Sequence, residues 1–160
     1  MKKIVGVMGG SACTREEYLL AADAGSLIAA NGFVLLCGGG SGIMEAAARG
    51  ARETGGTTLG ILPGSSPQES PPNPYIDIPI YTGMSDGRNA VNAKTSDVVI
   101  AIGGGYGTLS EIALALKNGK PVIAFRTWNI SREDTELTNL YRAETLGEVE
   151  TLLQRLTGKK

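Results

Sequence analysis

A chain of 160 residues suits one compact domain whose core needs neither disulfides nor a structural metal. Its 15 Lys plus Arg against 16 Asp plus Glu leave a net charge of −1, so no broad basic surface attracts a phosphate backbone and a nucleic-acid partner is not expected. Histidine is absent, which removes Ser–His and Cys–His nucleophile pairs and most zinc ligand sets, so no metal site is expected and acid–base chemistry falls to carboxylates.

Short hydrophobic runs alternate with stretches of helical period, the sign of β–α units building a parallel sheet. The first run, residues 3–8, predicts a strand; it is too short for a signal h-region or a membrane span, so the expectation is a soluble protein with no membrane partner. Residues 14–31 predict a helix, opened by the capping-box pattern Thr14-x-x-Glu17 and closed by Gly32. Residues 33–37 predict a strand, 42–54 a helix and 57–62 a third strand. Segment 63–74 holds five of the seven prolines, so it is a loop, with the capacity to act as a mobile lid. Residues 75–81 alternate like a short strand, 85–94 read as a helix and 97–102 as a strand. Then come a helix over 108–118, with Thr108-x-x-Glu111 as a second capping-box pattern and Gly119 as its stop, and a strand over 121–125. Beyond Trp128 the pattern weakens to a short strand near 140–143 and a last helix from Thr145, where Thr145-x-x-Glu148 repeats the capping pattern. The whole predicts an α/β fold: a Rossmann-like, doubly wound parallel sheet in three α/β/α layers, forming a single domain over residues 1–160. Cys13 and Cys37, without C-x-x-C spacing, fit a reducing cytoplasm.

Glycine supplies 23 residues, about twice the usual share, and ten of them lie in three turns that directly follow predicted strands. These are Gly9-Gly10-Ser11, Gly38-Gly39-Gly40-Ser41-Gly42 and Gly103-Gly104-Gly105-Tyr106-Gly107-Thr108. In a parallel sheet every strand-to-helix turn lies on the carboxyl edge, so topology alone brings the three together beside the switch point where ligands bind. Glycine allows positive φ and close approach to backbone amides, and each turn opens a helix whose N-terminus favours an anion. A phosphate group is the expected guest. A tight βα turn needs glycine for packing as well, so no one turn is diagnostic; the coincidence of three is what points to binding.

Four blocks then carry a resemblance: Gly38-Gly39-Gly40-Ser41-Gly42-Ile43-Met44-Glu45, Gly55 through Pro63, Arg88 ahead of Ser96-Asp97, and Gly104-Gly105-Tyr106-Gly107-Thr108-Leu109-Ser110-Glu111. In this order they resemble the Lonely Guy superfamily, which includes cytokinin-activating phosphoribohydrolases, proteins labelled "lysine decarboxylase-like" and molybdenum-cofactor carrier proteins. The match spans about residues 3–125 and includes most of the long P-G-G-x-G-T-x-x-E signature. Gly103 stands in place of the signature proline, Asn89 in place of the lysine after the motif arginine, and Val91 where a glutamate is common. Arg88-Asn89 with the triple glycine is more similar to the carrier branch. No lysine decarboxylase context is present.

The resemblance implies two readings of one pocket. In the first, a carrier holds a phosphorylated heterocycle, a nucleotide or the molybdenum cofactor, with no cofactor required for folding. Its phosphate rests on Gly9, Gly10, Ser11, Gly39, Gly40, Ser41, Gly42, Arg88, Asn89, Gly104, Gly105, Gly107 and Thr108. In the second, a phosphoribohydrolase cleaves the N-glycosidic bond of a nucleoside 5′-monophosphate, with Arg88 and Glu111 as catalytic residues. Arg88 is expected to clamp a phosphate or Glu111, and Asn89 and Asn92 to turn amides toward the crevice or to solvent. Thr108 is expected as a helix N-cap, and Glu111 as a carboxylate kept ionised by the helix N-terminus unless it merely completes the capping box. Cys37 reads as a small core residue. Tyr106 either stacks on a ligand ring or covers its turn. The small apolar faces of residues 21–30 and of Ala46, Ala47, Ala48 and Ala51, together with the resemblance, imply a homodimer or tetramer.

Overall fold

The computed structural model describes residues 1–159. Strand β1 (Ile4–Gly9), helix α1 (Arg15–Ala30), β2 (Val34–Cys37), α2 (Ile43–Glu53) and β3 (Thr58–Leu62) follow one another as the alternating pattern predicts. After the proline-rich loop come β4 (Ile78–Tyr81) and a 3-10 turn (Ser85–Gly87) that runs into α3 (Arg88–Thr95). The chain continues through β5 (Val98–Gly103), α4 (Tyr106–Lys117), β6 (Val122–Thr127), β7 (Leu140–Ala143) and α5 (Leu146–Thr157).

The strands form one parallel seven-stranded sheet in the order β4-β3-β2-β1-β5-β6-β7. The chain steps outward from β1 to β4, then crosses through α3 to β5 on the other flank of β1. Strand order therefore reverses between β1 and β5, which opens a crevice at their carboxyl ends. Strand residues alternate between two cores. Val5, Val7, Leu35, Cys37, Ile100 and Ile102 pack under α1, α2 and α5, while Met8, Leu36, Val99 and Ala101 pack against Ala93 of α3 and Ile112 and Ala115 of α4. Covered on both faces, the central strands read as unbroken apolar runs.

The two outer capping signals hold, and the middle one does not. Glu17 N–H donates to Thr14 Oγ1 at 3.1 Å and Thr14 N–H to Glu17 Oε2 at 2.9 Å, so α1 opens on a complete capping box. Thr145 caps α5 by accepting from Glu148 N–H, although the Glu148 carboxylate takes its bond from Glu144 N–H. Helix α4, in contrast, starts at Tyr106 with Gly105 as N-cap and no side-chain cap bond. Gly103 and Gly104, at φ +53° and +88°, turn the chain through the left-handed region and deliver it into the helix early. Thr108 is thus the third residue of α4 and not its cap, and Thr108-x-x-Glu111 is no capping box. Proline, locked near φ −65°, cannot adopt the Gly103 conformation.

Segment 63–74 is a loop as expected, fastened to the second glycine turn: Asn73 N–H donates to Gly39 O and Asn73 Nδ2 to Gly40 O, both at 2.8 Å. The strand expected over 75–81 begins only at Ile78, because Tyr75 to Asp77 turn around Thr58, whose hydroxyl donates to Tyr75 O at 2.6 Å.

The small residues of α1 and α2 are used inside the chain. Ala21, Ala24, Ala46, Ala47, Ala48 and Ala51 are all buried where the two helices cross backbone to backbone. A Cβ on Gly25 would run into the Ala47 carbonyl, and one on Gly50 into the Ala22 carbonyl. These faces are therefore not the free self-association surface that their composition implies. Gly50→Ala is expected to lower stability by about 3 kcal/mol in urea unfolding, since neither backbone can yield. Gly147→Ala, in open space on α5, should leave it unchanged or slightly raised.

Candidate functional site

A cavity of about 300 Å³ opens at the switch point. Its wall brings together Gly9, Gly10 and Ser11 of the first glycine turn, Gly105, Gly107 and Thr108 of the third, Arg88 and Asn89 of α3, and Glu111 of α4. Gly39, Gly40, Ser41, Gly42 and Gly104 lie off that wall, and from the second turn only Gly38 reaches it. That turn serves as a buckle. Ser41 Oγ donates to Ser11 O and Ile43 N–H to Gly10 O, each at 3.0 Å, while the Gly39 and Gly40 carbonyls accept from Asn73. Gly42, at φ +66°, has the Gly10 and Ser11 backbone where a side chain would stand.

The third turn presents amides. Thr127 Oγ1 donates to Gly103 O at 2.6 Å and Trp128 Nε1 to Gly105 O at 3.1 Å, so both carbonyls are drawn toward β6. In a trans peptide the N–H points opposite to the C=O, so the Gly104 amide faces away from Thr127, while the Gly105 carbonyl also accepts the first helical bond from Leu109 N–H, which leaves the Tyr106 amide at the open N-terminus of α4. Among the described residues the Gly104 and Gly105 amides donate to no protein acceptor. With the unpaired first-turn amides of α4 they form a concave nest of donors suited to an oxyanion.

Of the two clamps expected of Arg88, on a phosphate or on Glu111, the one on Glu111 does not form among the described residues. Arg88 Nη1 donates instead to Gly38 O and, at 2.7 Å, to Ile61 O, which ties the ends of β2 and β3 to α3. Burial lowers the Arg88 pKa and the nearby Glu111 carboxylate opposes that shift. Asn89 lines the cavity but gives its amide to Ser110 Oγ at 2.9 Å, and Ser110 in turn donates to Gly107 O.

Glu111 is not held ionised by a helix terminus. It is the sixth residue of α4, beyond the first turn where the dipole acts, and is only 7% exposed. Burial pushes its pKa up to about 7, against the opposing pull of an Asn92 Nδ2 hydrogen bond at 2.8 Å and of Arg88. Asn92 is neither solvent-exposed nor on the cavity wall; it is buried beside Glu111, with its Oδ1 unpartnered. Cys37 sits in the core as expected, its thiol pushed up to about 12 by burial. Met8, Met44 and Asp86 also line the cavity without a sequence signal, and Thr127 and Trp128 support the third turn only through the β5–β6 register. Tyr106 is 83% exposed and stacks on Trp128, ring centroids 5.8 Å apart.

Comparison with known proteins gives consistent relatives. The profile of the SLOG cluster4 family matches residues 2–152. A cytokinin riboside 5′-monophosphate phosphoribohydrolase of Mycobacterium tuberculosis is 33% identical over 132 residues, 78% of this chain and 71% of that protein. The molybdenum cofactor binding protein of Rippkaea orientalis superimposes with a TM-score of 0.86 at 39% identity, covering 98% of each chain. The molybdenum cofactor carrier protein of Chlamydomonas reinhardtii superimposes with a TM-score of 0.81 at 35% identity, covering 99% of this chain and 100% of that one.

The buried carboxyl makes stability depend on pH. Between the ordinary carboxylate range and about pH 7 the folded protein keeps a proton on Glu111 that the unfolded chain has lost. Stability therefore falls as pH rises through that window, by on the order of 2 kcal/mol from this group. Glu111→Gln should remove that slope in urea melts at pH 5 and pH 8.

Proposed function

This chain belongs to the SLOG cluster4 family, and from that membership and the crevice we propose that it binds and carries a phosphorylated heterocycle, a nucleotide or the molybdenum cofactor. The observation that carries this reading is the set of unpaired amides at Gly104, Gly105 and the start of α4, in the turn whose Gly105, Gly107 and Thr108 line the crevice. A phosphate there takes charge-assisted N–H bonds without any side chain needing to be desolvated. Ser11 adds a hydroxyl at the rim, Thr108 a buried one in the wall, and Arg88 a positive field. The ligand is cargo, not a folding cofactor. The likeness to the two cofactor proteins over nearly their whole lengths supports the carrier reading.

One observation favours turnover as a second reading: a carboxyl with a pKa near 7 on the cavity wall. Protonated Glu111 would donate to the leaving heterocycle as the N-glycosidic bond breaks. Water would add to the ribose C1′ and return a proton, giving the free heterocycle and ribose 5-phosphate. The similarity to the mycobacterial phosphoribohydrolase points the same way.

In this reading one domain carries the site and works in the cytoplasm without a nucleic-acid or membrane partner. Among the described residues no helix is long and apolar enough to cross a membrane. The protein self-associates through the apolar side chains left uncovered on β4 and beside it, Ile78, Ile80 and Met84. Light scattering should show at least a dimer at micromolar concentration, and a monomer would count against this.

Calorimetry with nucleoside monophosphates and an assay for released base separate the two functions. Binding without release supports the carrier; release that vanishes in Glu111→Ala establishes the hydrolase. Thr127→Val, which frees the Gly103 carbonyl, should weaken inorganic phosphate binding about fivefold, the worth of one hydrogen bond. Unchanged phosphate affinity would show that the nest does not hold the anion.

A further inference from the structure

Between α3 and α4 lies a buried polar pair that holding an anion does not by itself require. Asn92 is 1% exposed, and its Nδ2 donates to Glu111 Oε2 at 2.8 Å. Its Oδ1 meets no donor, and among the described residues no other buried side-chain nitrogen or oxygen is left without a partner. Burying an amide oxygen unpaired costs free energy, and an apolar side chain at this position would carry no such atom. The backbone of Asn92 is fixed as well. Buried Ser96 donates to Asn92 O through its Oγ, at 2.8 Å, and through its N–H, so only the side-chain amide is left to turn.

An ionised carboxylate only accepts hydrogen bonds, whereas the protonated acid accepts through one oxygen and donates through the other. The Asn92 N–H serves the carboxylate and also the carbonyl oxygen of the acid, so the bond survives a change of state. Turned about Cβ–Cγ, the same amide would offer Oδ1 to the acid O–H, and no existing bond to Oδ1 would be lost. Few charges stand against Glu111. Arg88 of α3 acts through its field, Cys37 at the end of β2 keeps its thiol proton, and Asp86 lines the same cavity. Strands β1 and β5 carry no ionisable side chain, Arg126 of β6 pairs with Glu16, and Lys94 of α3 and Lys117 of α4 are exposed. The proton on Glu111 therefore depends on burial, on the Asn92 bond, on Arg88 and on what occupies the crevice.

We propose that Asn92 is the positioning residue for Glu111: its amide keeps the carboxyl able to take or lose a proton, so that an anion enters the crevice together with a proton drawn from water. The proton passes from solvent to a carboxylate oxygen of Glu111 on the cavity wall, and no bond in the ligand is made or broken. Anion and proton then favour each other reciprocally, and the anion binds more tightly on the acid side of neutrality. The role of Asn92 stands on the buried pair alone; the coupling rests on the phosphate reading.

Carbon-13 NMR of the side-chain carboxyls follows the proton on Glu111 directly, its signal assigned by loss in Glu111→Gln. Sulfate is the probe, because it remains a dianion throughout the neutral range in which a phosphate itself titrates. Without sulfate, Asn92→Leu should raise the proton affinity of Glu111 about tenfold, the worth of one hydrogen bond to a charged group. Asn92→Asp, closer in shape, removes the same N–H and should act in the same direction. Ser110→Ala cuts only the other cross-link between these helices and should leave Glu111 unmoved. Saturating sulfate should raise the proton affinity of Glu111 in the unmutated protein about tenfold. Sulfate affinity should accordingly fall about eightfold from pH 6 to pH 9, a fall that Glu111→Gln abolishes. If neither Asn92 variant moves Glu111, the positioning role is overturned. Sulfate that binds equally well at both pH values overturns the coupling. Sulfate that binds at neither, while the Asn92 variants still move Glu111, sinks the phosphate reading and the coupling with it and upholds the role of Asn92.

Discussion

The direction of a few peptide groups in the 103–107 turn governs what the carboxyl edge of this sheet can do. A parallel sheet brings glycine-rich turns to one edge whatever their conformation, yet whether that edge presents carbonyls or amides depends on local geometry. Here two left-handed glycines reverse the chain, and the Thr127 hydroxyl holds the Gly103 carbonyl toward β6. Because the peptide is planar, fixing one end fixes the other, and the Gly104 amide is turned away from β6. Removing the Cβ at these positions does more than permit the bend. At Gly10 it leaves room for the Gly104 backbone, so the first and third turns close on each other as the walls of one crevice.

The seam between α3 and α4 supplies the remaining chemistry, and it does so by burial. Asn89 to Ser110 and Asn92 to Glu111 are two polar cross-links between the helices, one at the rim and one below it. The lower one sits where desolvation is strong, so a carboxyl that would be an ordinary anion on an exposed helix holds its proton to near neutrality. Arg88 tempers the effect through its field, without contact, because its Nη1 is committed to the ends of β2 and β3. An arginine that ties two strand ends to a helix also lines the cavity. Its structural and electrostatic roles are therefore inseparable.

Much of the architecture was legible because period and capping are local. The strands, the Thr14 box, the stop at Gly32 and the crevice position follow from residues within one or two turns of each other. What escaped the sequence depends on pairs far apart in the chain. The second glycine turn faces away from the crevice because its carbonyls meet Asn73, and Glu111 is buried because α3 covers it. Thr127 and Trp128 gain their roles from a bulged register between β5 and β6, which no periodicity announces. The early start of α4 is different, since the triple glycine was visible. The Thr-x-x-Glu pattern competed with it and lost, because left-handed glycines set the entry angle before Thr108 is reached.

The two proposed functions, carrying and cleaving, draw on one crevice and would differ only in proton transfer at Glu111, which lines it. Asn92 stands where that difference is set. Its amide donates to the carboxylate, while its own oxygen is buried without a partner, a costly arrangement in a core otherwise well satisfied. An amide holds a donor and an acceptor on one carbon and suits the ionised carboxylate in one orientation and the protonated acid in the other. A lysine or arginine in its place would fix the carboxylate as an anion. An apolar residue would leave only the acid stable at neutral pH. With asparagine, a phosphate in the crevice would add negative charge near Glu111 and shift it toward the acid, which would link ligand binding to the proton on Glu111 through the field they share.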